Sequence, residues 1–591
     1  MATSKWRPGY FGRVTRRRLL AGSAAGLGGA ALVACGGGDN GSVTLKPEVA
    51  LKPGAVFYAK DYWQLEDETA KAFPGGIFPG RAGSDLAGFD VTGLARTEKL
   101  NAAEAYESLL RANRGPGIRP GTPEYDKIVG RLAESWESSP DAAVYTFRLR
   151  PGVKFHNVAP INGREMDIDD WRTSYERFFE IGDQRQLYTT HVDRLEFPDR
   201  RTMVMRLKAP YSLMIESMIG LQEIWIMPKE LNADPRIART TSAGTNWRQL
   251  DKWEPSIRRD YKRFDAYWGG KPFIERWNHP LIVEYANAYA QFTVGNIIDF
   301  TPSSADALVL RKDVPQSVMI GAEPSSTSFR AMAVGTIDTQ TLPIKDERVR
   351  IAMRRAVDWD KITDFLANKP AFASAGIDLP TFPSTHLPPN PAYWLDPRKG
   401  ELGEASKNYL FDVAEAKKLL AAAGFPDGFE IDAYTATGTS AYGPEYRARV
   451  DLQTTELRKV GIVLKEIALL NQEYQQKVLF GRNFKGLMAN DNSRADTLDY
   501  ILSRYYESKL PTSAFPDPVI DDIAVRNRQE IDPVKRNEIA KEFQRYQAKK
   551  FYQIPVDGVF GAWSFRWPWL HNLNQPEHLQ WLDPSMPKRN G

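Results

Sequence analysis

The sequence predicts an α/β protein of two or three lobes. Three observations carry that expectation. Helical and strand patterns alternate from about residue 56 onward, 591 residues exceed one ordinary domain, and no repeat period or low-complexity tract interrupts the body.

The beginning of the chain stands apart. "VTRRRLLAGSAAGLGGAALVACGGG", Val14 to Gly38, joins three arginines to a run of small apolar residues that ends at Cys35, the sole cysteine. From Leu19 to Ala34 no residue is charged, but a bilayer-spanning helix needs roughly 20 apolar residues and four glycines dilute this run. A basic segment before a short apolar one reads as an export signal over residues 1–34. Arg16 and Arg17 resemble the twin-arginine export motif, and Leu32-Val33-Ala34-Cys35 resembles a lipobox that would acylate Cys35. A Sec-type signal or an N-terminal membrane anchor is the plainer alternative.

Charge follows from this division. The whole chain carries +4, and residues 1–34 hold six basic residues and no acid, so the remainder is −2. The basic excess belongs to the export segment, and no Lys/Arg run with interleaved aromatics suggests nucleic acid. With Cys35 used for lipid, no thiol remains for a disulfide, a metal or a nucleophile. Residues 35–55, rich in Gly and then Pro, suit a tether.

Two segments define the later architecture. In "DERVRIAMRRAVDWDKITDFLANK", Asp346 to Lys369, Val349, Met353, Ala356 and Val357 form an apolar stripe, and Asp358 ends one helix and caps the next. Arg348, Arg350, Arg354 and Arg355 lie largely off that stripe and read as solvated partners of nearby acids. In "DVAEAKKLLAAAGFPDG", Asp412 and Glu415 form a capping-box-like pair, Gly424 supplies the left-handed stop and Pro426 prevents continuation. A strand over 429–436 follows. A helix through Val450, Leu457 and Val460 comes next, with polar Gln453 on its apolar face, and then Gly461 and a strand over 462–467. These lengths describe parallel α/β units.

Four stretches in order resemble family 5 of the extracellular solute-binding proteins of ABC importers, the oligopeptide, dipeptide and nickel class. They are "LAESWESSPDAAVYTFRLRPGVKFHN", "YKRFDAYWGGKPFIERW", "ERVRIAMRRAVDWDKI", and the pair "EAKKLLAAAGFPDGFEI" with "LRKVGIVLKEI". The resemblance implies a type II periplasmic-binding-protein-like clam of two α/β lobes, with an extra subdomain in the first. Mapped by order, the first lobe covers 56–324 with the subdomain at about 90–200. The second covers 325–555, and 556–591 return to the first lobe. Crossings between lobes are expected near Ser325–Val334 and Tyr552–Phe560.

The resemblance also implies a role and a site. The chain would capture a peptide-like solute between its lobes and deliver it to a permease with separate ATPase subunits. It would act as a monomer outside the cytoplasm, at the periplasm or cell surface, lipid-anchored to the membrane, without cofactor. Asp491 is the best match to the aspartate that neutralises a peptide's amino group in relatives, with Asp496 and Asp499 as near alternatives. The family's Asp-Pro is absent here and Arg494 intrudes, which would pair with such an aspartate. Phe329 and Trp563 are candidate ligand walls near the crossings, together with Phe565 and Trp567. An oligosaccharide or metal chelate on the same fold, or a solute sensor, is the alternative. An exported hydrolase finds little support. The six histidines form no H-x-x-x-H pair, no Walker A motif occurs, and Tyr442 breaks the nucleophile-elbow pattern after Gly438.

Overall fold

The structure, a computed structural model, describes residues 51–586 apart from short internal segments, among them 323–327, 438–443 and 495–497. The described residues fall within one compact unit, Leu45–Gly591. Arg16, Arg17 and Cys35 lie outside the described residues.

The first lobe is built on a four-stranded sheet in the order Val56–Tyr58, Val318–Gly321, Trp563–Arg566, Asp299–Phe300. The first pair is parallel and the others antiparallel, with Phe57 opposite Ile320 and Met319 opposite Phe565. Alternate side chains of Val318–Gly321 and Trp563–Arg566 point into one core with Phe292, Leu310 and Trp567, as a half-buried strand requires. A second sheet of the strands Ile77–Pro79, Arg276–Asn278, Arg258–Arg263 and Arg248–Glu254 completes the lobe.

An antiparallel meander follows the order Ala133–Ser138, Val144–Leu149, Thr202–Leu207, Val192–Asp199. The helix Ile168–Ile181 buries Trp171, Tyr175 and Phe178 in the same core as the meander's Tyr145 and Phe147. Asp167 caps that helix, and Asp170 returns a bond to the Asp167 N–H, so two otherwise orphaned donors are satisfied.

The second lobe carries a five-stranded sheet ordered Ile462–Leu470, Phe429–Thr437, Leu487–Arg494, Ser328–Val334, Ile554–Pro555. Its first three strands are parallel and the last two antiparallel to their neighbours. Helices Glu347–Arg355, Trp359–Leu366, Val413–Ala422 and Pro444–Arg458 share a core with the sheet through Val349, Met353, Ile362, Leu420, Val450 and Leu457. The Asp412 side chain accepts from the Glu415 N–H at 2.9 Å, and Gly424 takes φ +92° and Gly461 φ +83° where their helices end.

The arginine expectation is corrected. Arg348 is exposed and paired with Asp346, but Arg350, Arg354 and Arg355 are 2%, 3% and 8% exposed. Arg350 spends its donors on the carbonyls of Ile344, Lys345 and Lys550 and so ties its helix to the end of the helix Pro533–Lys550. Gln453 is explained as well: its Nε2 donates to the Ala489 carbonyl at 2.7 Å inside the sheet-helix interface. Among the described residues, no helix is long and apolar enough to cross a membrane and no His/Cys/Asp/Glu group could hold a metal.

Candidate functional site

The chain passes between lobes twice. One passage joins Val318–Gly321 of the first sheet to Ser328–Val334 of the five-stranded sheet. The other leaves Ile554–Pro555, pairs Val559–Phe560 with Thr381–Phe382, and enters the first sheet at Trp563–Arg566. A lobe pair joined by two such strands has a hinge where the backbone is held and the lobes can open around it.

Charged side chains are buried in that hinge. Asp557 is fully buried, and its Oδ2 accepts from Arg330 Nη1 at 3.0 Å and from Arg449 Nε at 2.8 Å. Arg330 Nη1 also donates to the Gly558 carbonyl at 2.7 Å, and its guanidinium lies over the Phe560 ring. Ser384 Oγ accepts the Arg330 N–H and donates to the Asp557 carbonyl, while Thr363 Oγ1 accepts the Gly558 N–H. Burial pulls the Arg330 pKa below its ordinary value, and Asp557 opposes that shift. The first turn of Pro444–Arg458 faces the other lobe, where Glu445 accepts from the Ser304 N–H at 3.1 Å. Between this helix and the sheet lies a cavity of about 410 Å³ lined by Thr435, Val450, Thr454, Leu464 and the Arg447–Glu466 pair.

The lobes also meet away from the hinge. Ser212 donates to the carbonyls of Arg528 and Glu530, and its Oγ accepts from Arg536 at 3.2 Å. Tyr211 reaches the Asp499 carboxylate, which pairs with Arg528, and Arg528 in turn holds Glu507.

The sequence-predicted residues fall as follows. Asp491 is opposite Ala331 and Arg494 is opposite Ser328, so both backbones lie on the strand beside the first crossing. The side chains of both lie outside the described residues, as does Asp496. Phe329 is 1% exposed within the large core that contains the meander and Tyr500. Trp563 is 3% exposed, stacked on Phe372 at 5.8 Å and near Tyr58 at 5.4 Å. Phe565 is buried in the first-lobe core, and Trp567 donates to the Phe292 carbonyl at 3.0 Å. Asp499 is already paired and buried. Arg330, Arg449, Asp557, Tyr211 and Arg528 were not anticipated. A signal existed for two of them, because Arg330 interrupts the apolar "SFRAMAV" and Asp557 the apolar "IPVDGVF".

Two α/β lobes joined by paired crossings, with polar groups collected at the joint, define a clam-shaped solute-binding protein of the type II periplasmic kind. A family model described as bacterial extracellular solute-binding proteins, family 5 (middle) matches residues 127–516, and the chain belongs to that family. The dipeptide-binding protein of Escherichia coli K12 is 25% identical over 417 residues, covering 65% of this chain and 71% of its own. Heme-binding protein A of Haemophilus influenzae is 24% identical over 455 residues, covering 72% and 76%. The periplasmic binding protein DppA from Helicobacter pylori, solved with the peptide STSA, superposes with a TM-score of 0.70 at 17% identity, covering 87% of this chain and all of its own.

Proposed function

We propose that the chain is the substrate-binding component of an ABC importer, closing on a peptide-like solute and presenting it to a membrane permease with separate ATPase subunits. The observation that carries this reading is the hinge: two crossings run side by side through the five-stranded sheet, as Ala331 pairs with Pro555 and with Asp491. Family membership supports solute capture, and the peptide ligands named for two relatives favour a peptide over other solutes. Closure then follows from preferential binding of solute to the lobe-closed form. Asp491 is assigned as the partner of the peptide's ammonium group, with Phe329 and Trp563 near the solute and Arg494 modulating the aspartate.

The same reading includes export by Arg16 and Arg17, acylation at Cys35 and residence outside the cytoplasm. The domain division proposed is 1–34, 35–55, 56–324, 325–555 and 556–591.

Mass spectrometry of the solute that co-purifies from native cells tests the ligand. A peptide is expected; an oligosaccharide or metal chelate rejects the peptide assignment. Affinity unchanged in Asp491→Ala rejects the ammonium partner, and turnover of bound solute without any partner points to an enzyme. Cys35→Ser should release the protein from membranes, and unchanged membrane association rejects acylation.

A further inference from the structure

We infer that the hairpin of residues 110–131, with Arg150 beside its base, is a docking surface for the anionic headgroups of a membrane and turns one side of the tethered first lobe onto that surface. The inference deepens the proposed residence at a membrane and rests on that reading for the tether.

The hairpin's charge is opposite to that of the body. Its strands Leu110–Ala112 and Ile128–Gly130 pair antiparallel. Residues 110–131 hold five basic residues and two acids, a net +3, on a chain that is −2 once residues 1–34 are set aside. Exposed arginines elsewhere in the lobe meet carboxylates, as Arg194 meets Asp193 and Arg201 meets Glu134. Arg111, Arg114, Arg119 and Arg150 have no carboxylate partner among the described residues. Glu107 cannot serve them. Its Oε1 accepts from Arg131 Nε at 2.8 Å and Tyr267 at 3.1 Å, and its Oε2 from Thr245 at 2.8 Å and Trp268 Nε1 at 2.9 Å, which fills its four lone-pair sites. Glu577, which also acts on Arg131, pairs with Arg248 at 3.8 Å. Burial first, and then the charges of Arg131 and Arg150, hold Arg111 below its ordinary pKa, so these guanidinium groups stand close enough to repel.

Contacts join the arginines along the hairpin. The Arg131 N–H donates to the Leu109 carbonyl at 2.8 Å, and Arg150 Nε donates to the Arg131 carbonyl at 2.7 Å. Arg114 Nη1 crosses the hairpin to the Tyr125 carbonyl at 2.7 Å, and its guanidinium lies 3.5 Å from the Tyr125 ring centroid. Arg119 lies 5.5 Å from the Trp63 ring and Arg150 4.5 Å from the Trp268 ring. Trp and Tyr favour the membrane interface, and the guanidinium fork matches a lipid phosphate.

Position supplies the occupant. Trp63 lies in the short helix Ala59–Gln64 that follows the first strand, so Arg119 rests on the start of the folded body. The sixteen residues from Cys35 to Leu51 span at most about 55 Å. A body held that close to a membrane keeps its point of entry nearest the surface, and the basic hairpin touches that point. Each basic residue near an anionic surface strengthens binding about 5-fold, so four give a dissociation constant of about 1 mM in lipid. That is too weak to retain the chain without an anchor, and it suffices to orient a chain already anchored.

The test uses the full chain with vesicles of phosphatidylcholine, alone or mixed equally with phosphatidylglycerol. Phenylglyoxal modifies arginines, and mass spectrometry reads each one. At about 4 mM accessible phosphatidylglycerol, modification of Arg114 and Arg119 is expected to slow about 5-fold. Arg526, in the other lobe, should react as before, and the protection should vanish with phosphatidylcholine alone or in about 0.5 M salt. Joint Arg114→Gln and Arg119→Gln substitution should remove the protection of Arg111 and Arg150. Equal modification with and without anionic vesicles overturns the docking surface; if the chain still sediments with them, membrane residence survives. Protection by sodium phosphate alone, with no further effect of vesicles, also overturns it, in favour of a free anion. If Cys35→Ser stays on cell membranes, the acylation reading fails, while vesicle protection of the hairpin upholds the docking surface.

Discussion

Tyr211 donates its hydroxyl to the carboxylate of Asp499, 288 residues further along and in the other lobe. The contact is buried on both sides and closes a chain of charge that continues through Arg528 to Glu507. It ties the segment that follows Thr202–Leu207 to the helix Pro518–Gln529, through residues separate from the Arg330–Asp557–Arg449 cluster.

Tyr211→Phe removes that fastening while retaining the ring packed 4.6 Å from His191. A hydrogen bond to a charged group contributes about 1.5–3 kcal/mol, so closure becomes less favourable by that order. Solute affinity measured by calorimetry is expected to weaken about 10-fold or more, because binding draws on the closed population. Unchanged affinity would mean that the contact does not bias closure.

Arg528→Met has a larger effect on the fold itself. It leaves Asp499 and Glu507, 2% and 6% exposed at the side chain, without their shared counter-charge. Breaking a buried ion pair from one side costs about 3–5 kcal/mol. The urea midpoint should drop accordingly, with the slope of the transition unchanged.

Buried histidines set the acid limit of stability. Burial pushes His156 and His191 down to about 4 and His386 to about 3, from an ordinary 6.5. Between those values and 6.5 the unfolded chain binds protons that the folded chain refuses. Stability is therefore full above about pH 6.5 and falls as the pH drops toward 4, by up to about 1.4 kcal/mol per pH unit for each histidine. A urea midpoint equal at pH 7.5 and pH 5.5 would contradict this.

Two glycines separate backbone strain from collision. Gly424 has φ +92° and open space where a Cβ would stand, so Gly424→Ala should cost about 1 kcal/mol. Gly461 has φ +83°, and a Cβ there would lie 2.3 Å from the Asp427 carbonyl. Gly461→Ala should cost at least twice as much, since the tight approach of 427–428 must also move. Equal losses in denaturant titrations would show that the contact relaxes without penalty.

The local rules of helix ends and strand alternation were legible in the sequence. Asp358 and Asp412 each cap the expected helix, and the strands over 429–437 and 462–470 contain the two expected ones. Side-chain destinations were less legible, because they depend on what packs from far away. Arg350 looks like a surface arginine until the end of Pro533–Lys550 covers it, 200 residues on. Arg449 and Arg330 meet Asp557 across 108 and 227 positions, and no spacing rule reaches that distance. Asp499 was weighed only as a ligand contact; its burial with Arg528 and Tyr211 follows from the meeting of two lobes.

The placement of Trp563–Arg566 has a consequence for synthesis. That strand lies inside the first-lobe sheet, between Val318–Gly321 and Asp299–Phe300, with Ser564 bonded to Ile320 from 244 positions away. The second-lobe sheet and its helices, by contrast, come from one uninterrupted stretch, 328–555. A ribosome therefore completes the later lobe first, and the earlier lobe waits, its sheet split, until residues 563–566 emerge. Anything that must hold the nascent chain before it crosses a membrane would meet this unfinished edge of Val318–Gly321.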